Sequence, residues 1–228
     1  MDLSGYTDIA RGIARCFGYD LMINFNRPYL ARTVSNFWQR WHISMSGFFR
    51  EYLYWPMGGS KRGNVYLNLM VTFVAIGVWH GAGWNLIVYG ILHGSIVCLE
   101  RVRRLHRRKK ALPDVDDSVM AYTLGICYTF LFVSLVRVLF VSSDLEGAWA
   151  YFSAIWSTQG RGGAAGPQGY VTLIAAIALH CLPRSWEGLT GSAFFRQGAF
   201  VQACLMVSII YLLVMLANEP RPFVYFKF

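Results

Sequence analysis

Residues 65–99 form a run of 35 positions without a single Asp, Glu, Lys or Arg. One straight helix of that length would measure about 50 Å, whereas the hydrocarbon core of a bilayer is about 30 Å thick. The run is too long for one crossing, so it has to fold back. The bend is written into it as His80-Gly-Ala-Gly83, two glycines beside a histidine. The sequence therefore predicts a helical hairpin with arms 65–79 and 84–99. Arms of 15 or 16 residues are only about 23 Å long, and the turn, with His80 in it, is expected to stop short of the far membrane face.

The composition agrees. Of 228 residues 55% are hydrophobic and only 14% charged, against roughly 25% charged in soluble domains. That excludes an ordinary soluble enzyme and a disordered chain. The net charge of +9 does not point to nucleic acid, because seven of the 21 Lys and Arg crowd into residues 101–110 and no basic–aromatic binding module surrounds them. The expected partner is the lipid bilayer, with no nucleic acid. Residues 119–141 and 199–217 are long enough to cross it, and 170–182, closed by Pro183, forms a shorter span. Lys and Arg in short loops mark the cytoplasmic side. The 101–110 tract, the Lys61–Arg62 loop and the loop 183–197 then face the cytoplasm, while 142–168, with Arg161 and the glycine-rich stretch 160–166, faces outward. The expected fold class is all-α: a multi-pass helical protein of the inner (plasma) membrane, one membrane domain over 1–228, with interfacial helices and loops in 1–60 and transmembrane helices in 65–217.

In those first 60 residues, 6–17 reads as a polar-flecked helix in which Asp8 and Arg11 can pair, and Asn24 to Pro28 reads as a loop. Val34, Trp38, Trp41, Met45, Phe48, Phe49 and Tyr52 then recur at helical spacing, predicting one amphipathic helix at the membrane interface. The first eight residues carry no basic, apolar signal-peptide pattern. The five cysteines are scattered and make no metal or redox motif, so no metal is expected.

Ionisable groups inside a membrane are costly and point to function. His80 is the first candidate: a neutral imidazole, with its ordinary pKa near 6.5, can take a proton from a hydroxyl that attacks a carbonyl. His42, in Phe37-Trp-Gln-Arg-Trp-His-Ile-Ser44, is the second. His93, His180 and His106 read as structural, Glu100 as the plain start of a loop, and Arg137 as a charge near the outer end of its span. Gly77 with Gly81, and Gly90 with Gly94, fit the small-xxx-small pattern of close helix packing. No nucleophile elbow, zinc motif or phosphate loop is present. A haem held by His80 and His93 is disfavoured, since the two are thirteen apart across a turn without a matching pair on another long span.

The stretch Phe37-Trp-Gln-Arg-Trp-His-Ile-Ser-Met-Ser-Gly-Phe-Phe-Arg-Glu-Tyr-Leu-Tyr-Trp-Pro-Met-Gly-Gly59, then Val78-Trp-His-Gly-Ala-Gly-Trp84 and Tyr89-Gly-Ile-Leu-His-Gly94, resembles the membrane-bound O-acyltransferase family, and within it the alginate O-acetyltransferase branch. Ser4 to Asp8 and the closing Pro222 to Phe228 are similar to that branch as well. The resemblance implies an acyltransferase that moves an acetyl group from a cytoplasmic thioester, acetyl-CoA as donor substrate, toward hydroxyls of an extracytoplasmic polysaccharide such as alginate. No cofactor is expected to be bound. It further implies His80 as catalytic base, His42 as a second catalytic residue, and Trp79, Trp41, Arg50 and Asn85 along the substrate path. A periplasmic acetyltransferase is the implied protein partner. Members of the family are usually about twice as long, so the chain is expected to be the C-terminal half of such a protein, its other half missing. That leaves open a non-catalytic scaffold or conduit, and a same-fold transferase of another cargo, such as D-alanine to teichoic acid.

Overall fold

A computed structural model describes residues 2–111, 118–157 and 166–216. The stretch 158–165, with Arg161 and most of the glycine-rich segment, and the closing Pro222 to Phe228 lie outside the described residues. Among those described every regular element is helical. In chain order these are α1 (Asp2–Cys16), a 3₁₀ turn (Pro28–Leu30), α2 (Val34–Trp38), α3 (Ile43–Phe49) running into a π turn (Arg50–Tyr54), α4 (Val65–Trp79), α5 (Trp84–Lys109), α6 (Val119–Val141), α7 (Leu145–Trp156), α8 (Pro167–Cys181), α9 (Arg184–Phe195) and α10 (Ala199–Leu216). By length and composition α5 and α6 can cross a membrane, while α4 and the apolar parts of α8 and α10 are shorter.

α4 begins at a side-chain cap: Asn64 Oδ1 accepts from the amides of Tyr66 (3.0 Å) and Leu67 (3.3 Å), filling two of the donors every helix start leaves open. It ends at Trp79, where Gly81 takes φ 152°, a backbone state that favours glycine. α5 then returns along α4. A methyl at Gly77 would run into the carbonyl oxygen of Leu86, one at Gly90 into that of Phe73, and one at Gly94 into Met70 Sδ at 2.8 Å. Absent side chains thus let two backbones touch, as the glycine spacing implied.

Three expectations fail. The tract 101–110 is not a loop, because α5 continues to Lys109. Nothing in Arg101 to Lys109 breaks a helix, and cations in the last turn suit the negative end of its dipole. The segment 183–197 is not a plain loop either, and the segment expected to face outward, 142–168, opens with a helix of its own. Asp144 caps α7 by accepting from Gly147 N–H at 2.7 Å, and α9 fills 184–195 behind Pro183, a residue that starts helices readily. Finally, the single amphipathic helix expected over 34–52 is broken at 39–42 and again by the π turn. The breaks turn its face, so Val34, Trp38, Met45 and Phe49 are buried while Phe48 and Tyr52 are exposed.

The core lies where α2 and α3 rest on α4, α5 and α6. Phe37, Trp38, Phe73, Ile76, Tyr89 and Val136 are buried there. Glu100, taken from sequence for an unremarkable loop residue, is a fastener. Its carboxylate accepts from Val34 N–H (2.7 Å), Ser35 N–H (2.8 Å) and the Ser35 hydroxyl (2.6 Å), so a side chain of α5 caps α2. In contrast α10 exposes apolar side chains all round, Phe200, Val207 and Val214 among them. The expected Asp8–Arg11 pair forms at 3.3 Å on α1.

Candidate active site

Two interruptions of helical backbone meet at one place. The first is the end of α4, where His80 closes the last turn: its amide bonds to the carbonyls of Ile76 (3.2 Å) and Gly77 (3.1 Å). The residue is only 8% exposed. Its ring is set edge-on to Trp79 (centroids 4.7 Å apart) and Phe140 (4.8 Å), with Tyr89 at 6.5 Å. The second is the break between α2 and α3, where His42 takes φ 45°, ψ 58°, a left-handed state costing a non-glycine residue on the order of 1 kcal/mol or more.

The Asn24–Pro28 loop holds that state in place. Asn24 accepts from Ile43 N–H with its backbone oxygen (3.0 Å), and from Ser44 N–H and Oγ with its side chain (3.0 Å each). Asn26 N–H donates to the Arg40 carbonyl at 2.9 Å. His42 is thereby aimed at Trp79 (6.2 Å) with Phe25 behind it (6.1 Å). Burial holds the His42 imidazole below its ordinary pKa.

Of the residues singled out from sequence, four converge. Trp79 stands between the histidines, and its exposed side closes an open apolar groove of about 620 Å³ lined by Phe48, Phe49, Met70 and Val74. Trp41 stacks on Phe37 at 5.4 Å and meets Phe25 edge-on at 5.0 Å. Arg50 stands apart: it is exposed, and its guanidinium lies over Trp55 at 5.8 Å. Asn85 is 2% exposed, and its amide nitrogen donates to Leu139 O (3.0 Å) and Ser142 O (2.9 Å). It ties the start of α5 to the end of α6.

His93 is fully buried, and its Nδ1 accepts from Trp38 Nε1–H at 3.1 Å, the structural part expected of it. His180 near the end of α8 packs edge-on against Tyr29 at 5.4 Å. The residue sequence reasoning missed is Arg137. Its guanidinium lies over Trp41 at 5.3 Å and Phe140 at 5.4 Å. Arg137 is the one charged residue of α6, and Phe140 follows three positions later on the same helical face, a signal available in the sequence. Among the described residues no group of three or more His, Cys, Asp or Glu is arranged to hold a metal.

The arrangement is therefore a buried imidazole at a helix break, a second imidazole across one tryptophan, and an aromatic wall. The sequence profile of the membrane-bound O-acyltransferase family matches residues 1–142, the part that holds all of these groups. The chain belongs to that family. It is 37% identical over 158 residues to an Azotobacter vinelandii protein described as a probable alginate O-acetylase (68% of this chain, 30% of the relative). It is 43% identical over 149 residues to a peptidoglycan O-acetyltransferase of Helicobacter pylori (64% and 27%). A teichoic acid D-alanyltransferase of Streptococcus thermophilus is 29% identical over 164 residues (65% and 39%). The matched part of the chain thus covers about 30% of the length of its first relatives. As a member of this acyltransferase family it is a membrane protein.

Proposed function

We propose that the chain carries the reacting centre of a multi-pass inner-membrane O-acyltransferase, and that His80 is its general base. The observation that carries this reading is the enclosure of His80 at the break between two packed helices, with His42 next to it across Trp79. An acceptor hydroxyl gives its proton to the imidazole while its oxygen bonds to the thioester carbonyl carbon. The C–S bond breaks, and the imidazolium returns the proton to the leaving thiolate. The length of α4, 15 residues or about 23 Å, supports a reading in which its end lies inside the bilayer, where a cytoplasmic donor and an extracytoplasmic acceptor can both arrive. His42 positions the donor from the cytoplasmic side, and Trp79 and Trp41 wall the path.

The donor is a cytoplasmic thioester, acetyl-CoA, and the acceptor a polysaccharide outside the membrane, reached with the help of a periplasmic acetyltransferase. Acetyl is favoured over D-alanyl as cargo because the O-acetylase relatives are 35–43% identical and the D-alanyltransferases 29–31%. The test is transfer of label from acetyl-CoA to polymer by the purified chain with its periplasmic partner. His80→Ala is expected to cut turnover by about 10²- to 10⁴-fold while the protein still inserts, resisting carbonate extraction. Undiminished transfer in that variant removes His80 from the reaction. No transfer by the unaltered chain favours the non-catalytic scaffold.

A further inference from the structure

The two arms of the hairpin are unequal, and α5 outruns α4. Cys98 Sγ donates to the carbonyl of Tyr66 (3.7 Å), the second residue of α4, so residues 99–109, about 16 Å of helix, extend past the start of that partner. One side of this overhang is used: Glu100 caps α2, and Arg101 and Arg104 are half-buried. The other side is open. At 3.6 residues per turn, Leu99, Val102, Arg103, Lys109 and Lys110 fall within about a third of the circumference, with Leu105 at its edge. Leu99 is 62% exposed, Val102 48% and Leu105 40%, and Arg103, Lys109 and Lys110 are exposed among them. None of these three cations takes part in the ion pairs formed among the described residues, which lie on and beside α1. The face is thus apolar and cationic at once, and it continues the uncharged run 84–99 without a break in the helix.

We propose that this overhang is a docking surface for anionic phospholipid. Negatively charged headgroups of the cytoplasmic leaflet sit against Arg103, Lys109 and Lys110, and the upper parts of their acyl chains cover Leu99, Val102 and Leu105. Two features select this occupant. A soluble anion is held by charge alone and would leave the three apolar side chains in water, whereas a zwitterionic lipid would cover them and leave the cations without counter-charge. An anionic lipid answers both, because long cationic side chains extend from an apolar surface to the phosphates at its edge. The charge pattern of the loops assigns this end of the hairpin to the cytoplasmic side, which fixes the leaflet. The inference goes beyond acyl transfer and does not depend on it.

The test is a titration of the detergent-solubilised full chain, with apparent affinity read from the rise of melting temperature with ligand concentration. Three probes are compared: dioleoyl-phosphatidylglycerol, dioleoyl-phosphatidylcholine, and glycerol 3-phosphate, a soluble phosphate without acyl chains. Each surface cation is worth about fivefold in affinity for an anionic lipid, so phosphatidylglycerol is expected to bind about 10²-fold more tightly than phosphatidylcholine, and glycerol 3-phosphate far more weakly than either. The combined variant Arg103→Gln, Lys109→Gln, Lys110→Gln is expected to lose about 10²-fold in affinity for phosphatidylglycerol and to keep its affinity for phosphatidylcholine. Should that variant fail to insert, Lys109→Gln with Lys110→Gln, at the exposed end of the helix, is expected to lose about 25-fold. Equal affinity of the parent chain for the two lipids, or an anionic preference unchanged in the variants, overturns the proposal. Binding of glycerol 3-phosphate as tight as that of phosphatidylglycerol overturns it as well, in favour of a site for a soluble phosphate.

Discussion

The contact between α4 and α5 can be tested by adding single methyl groups. Gly90→Ala places Cβ against the Phe73 carbonyl oxygen, with the Phe73 carbonyl carbon and Val74 Cα both at 3.0 Å. These are backbone atoms, which cannot rotate away, so the helices have to part by about 1 Å to regain ordinary contact. Forced overpacking of this kind costs about 1–3 kcal/mol, and Gly90→Ala belongs near the top of that range. Gly77→Ala meets the Leu86 backbone in the same way and should match it. Gly94→Ala meets first the end of a flexible side chain, Met70 Sδ at 2.8 Å, so its cost should fall near or below the bottom of the range. Cys98 reports the opening, because its thiol is half-buried on the same contact and donates to Tyr66 O at 3.7 Å. With the four exposed cysteines, Cys16, Cys127, Cys181 and Cys204, changed to serine, the rate at which Cys98 takes up a maleimide follows separation of the pair. The expected order of labelling is Gly77→Ala and Gly90→Ala fastest, Gly94→Ala next, and the parent slowest. Equal rates in all four, or Gly94→Ala fastest, would refute the close backbone approach on which the position of His80 depends.

Glu100→Gln removes the charge that caps α2 from α5 and should cost about 1–2 kcal/mol, read as a lower melting temperature in detergent; Glu100→Asp, one methylene short, recovers little. Asn85→Ala strands two carbonyls near the end of α6 and should cost about 2–3 kcal/mol, with faster protease cleavage around Ser142 as the local readout. Burial depresses the His42 pKa below its unfolded value near 6.5, so the unfolded chain binds the proton more readily. Stability is then greatest above that value and falls as pH drops through and below it. His42→Asn, which tolerates the left-handed backbone, should flatten that part of a melting-temperature profile, and an unchanged slope between pH 7 and 5 would exclude His42 as its source.

Where the sequence and the fold agree, the determinants are local. α4 starts after Asn64 and stops before His80 because a side-chain cap and a Gly-Ala-Gly turn are adjacent in the chain; α6 fills its expected bounds because an apolar run with a single charge, Arg137, follows directly on the Ser118 cap. Where they differ, a distant group decides. The spacing of Val34, Trp38, Trp41 and Met45 continues smoothly through residues 39–42, and nothing nearby announces a break. The break is held by Asn24 and Asn26, about a helix length upstream, while the start of α2 before it is held by Glu100, 65 positions away from Ser35. Both histidines were legible as candidates, but their closeness was not, since it depends on that break turning His42 toward Trp79.

The same reasoning explains why the charges were harder to read than the apolar groups. An apolar side chain is satisfied by any neighbour of its kind, so periodicity alone locates it. A charge in a membrane needs a particular partner, and the partner need not be near in sequence. Glu100 finds backbone amides at the start of α2, and Arg137 finds the ring of Trp41 nearly a hundred residues earlier. These two contacts bear on one segment: Glu100 anchors the start of α2, and Arg137 lies over Trp41 within the break that follows α2. The next residue after Trp41 is His42. Loosening the Glu100 cap should therefore disturb more than stability, because the ring that steadies Arg137 and the imidazole that faces Trp79 are adjacent residues on the segment it secures.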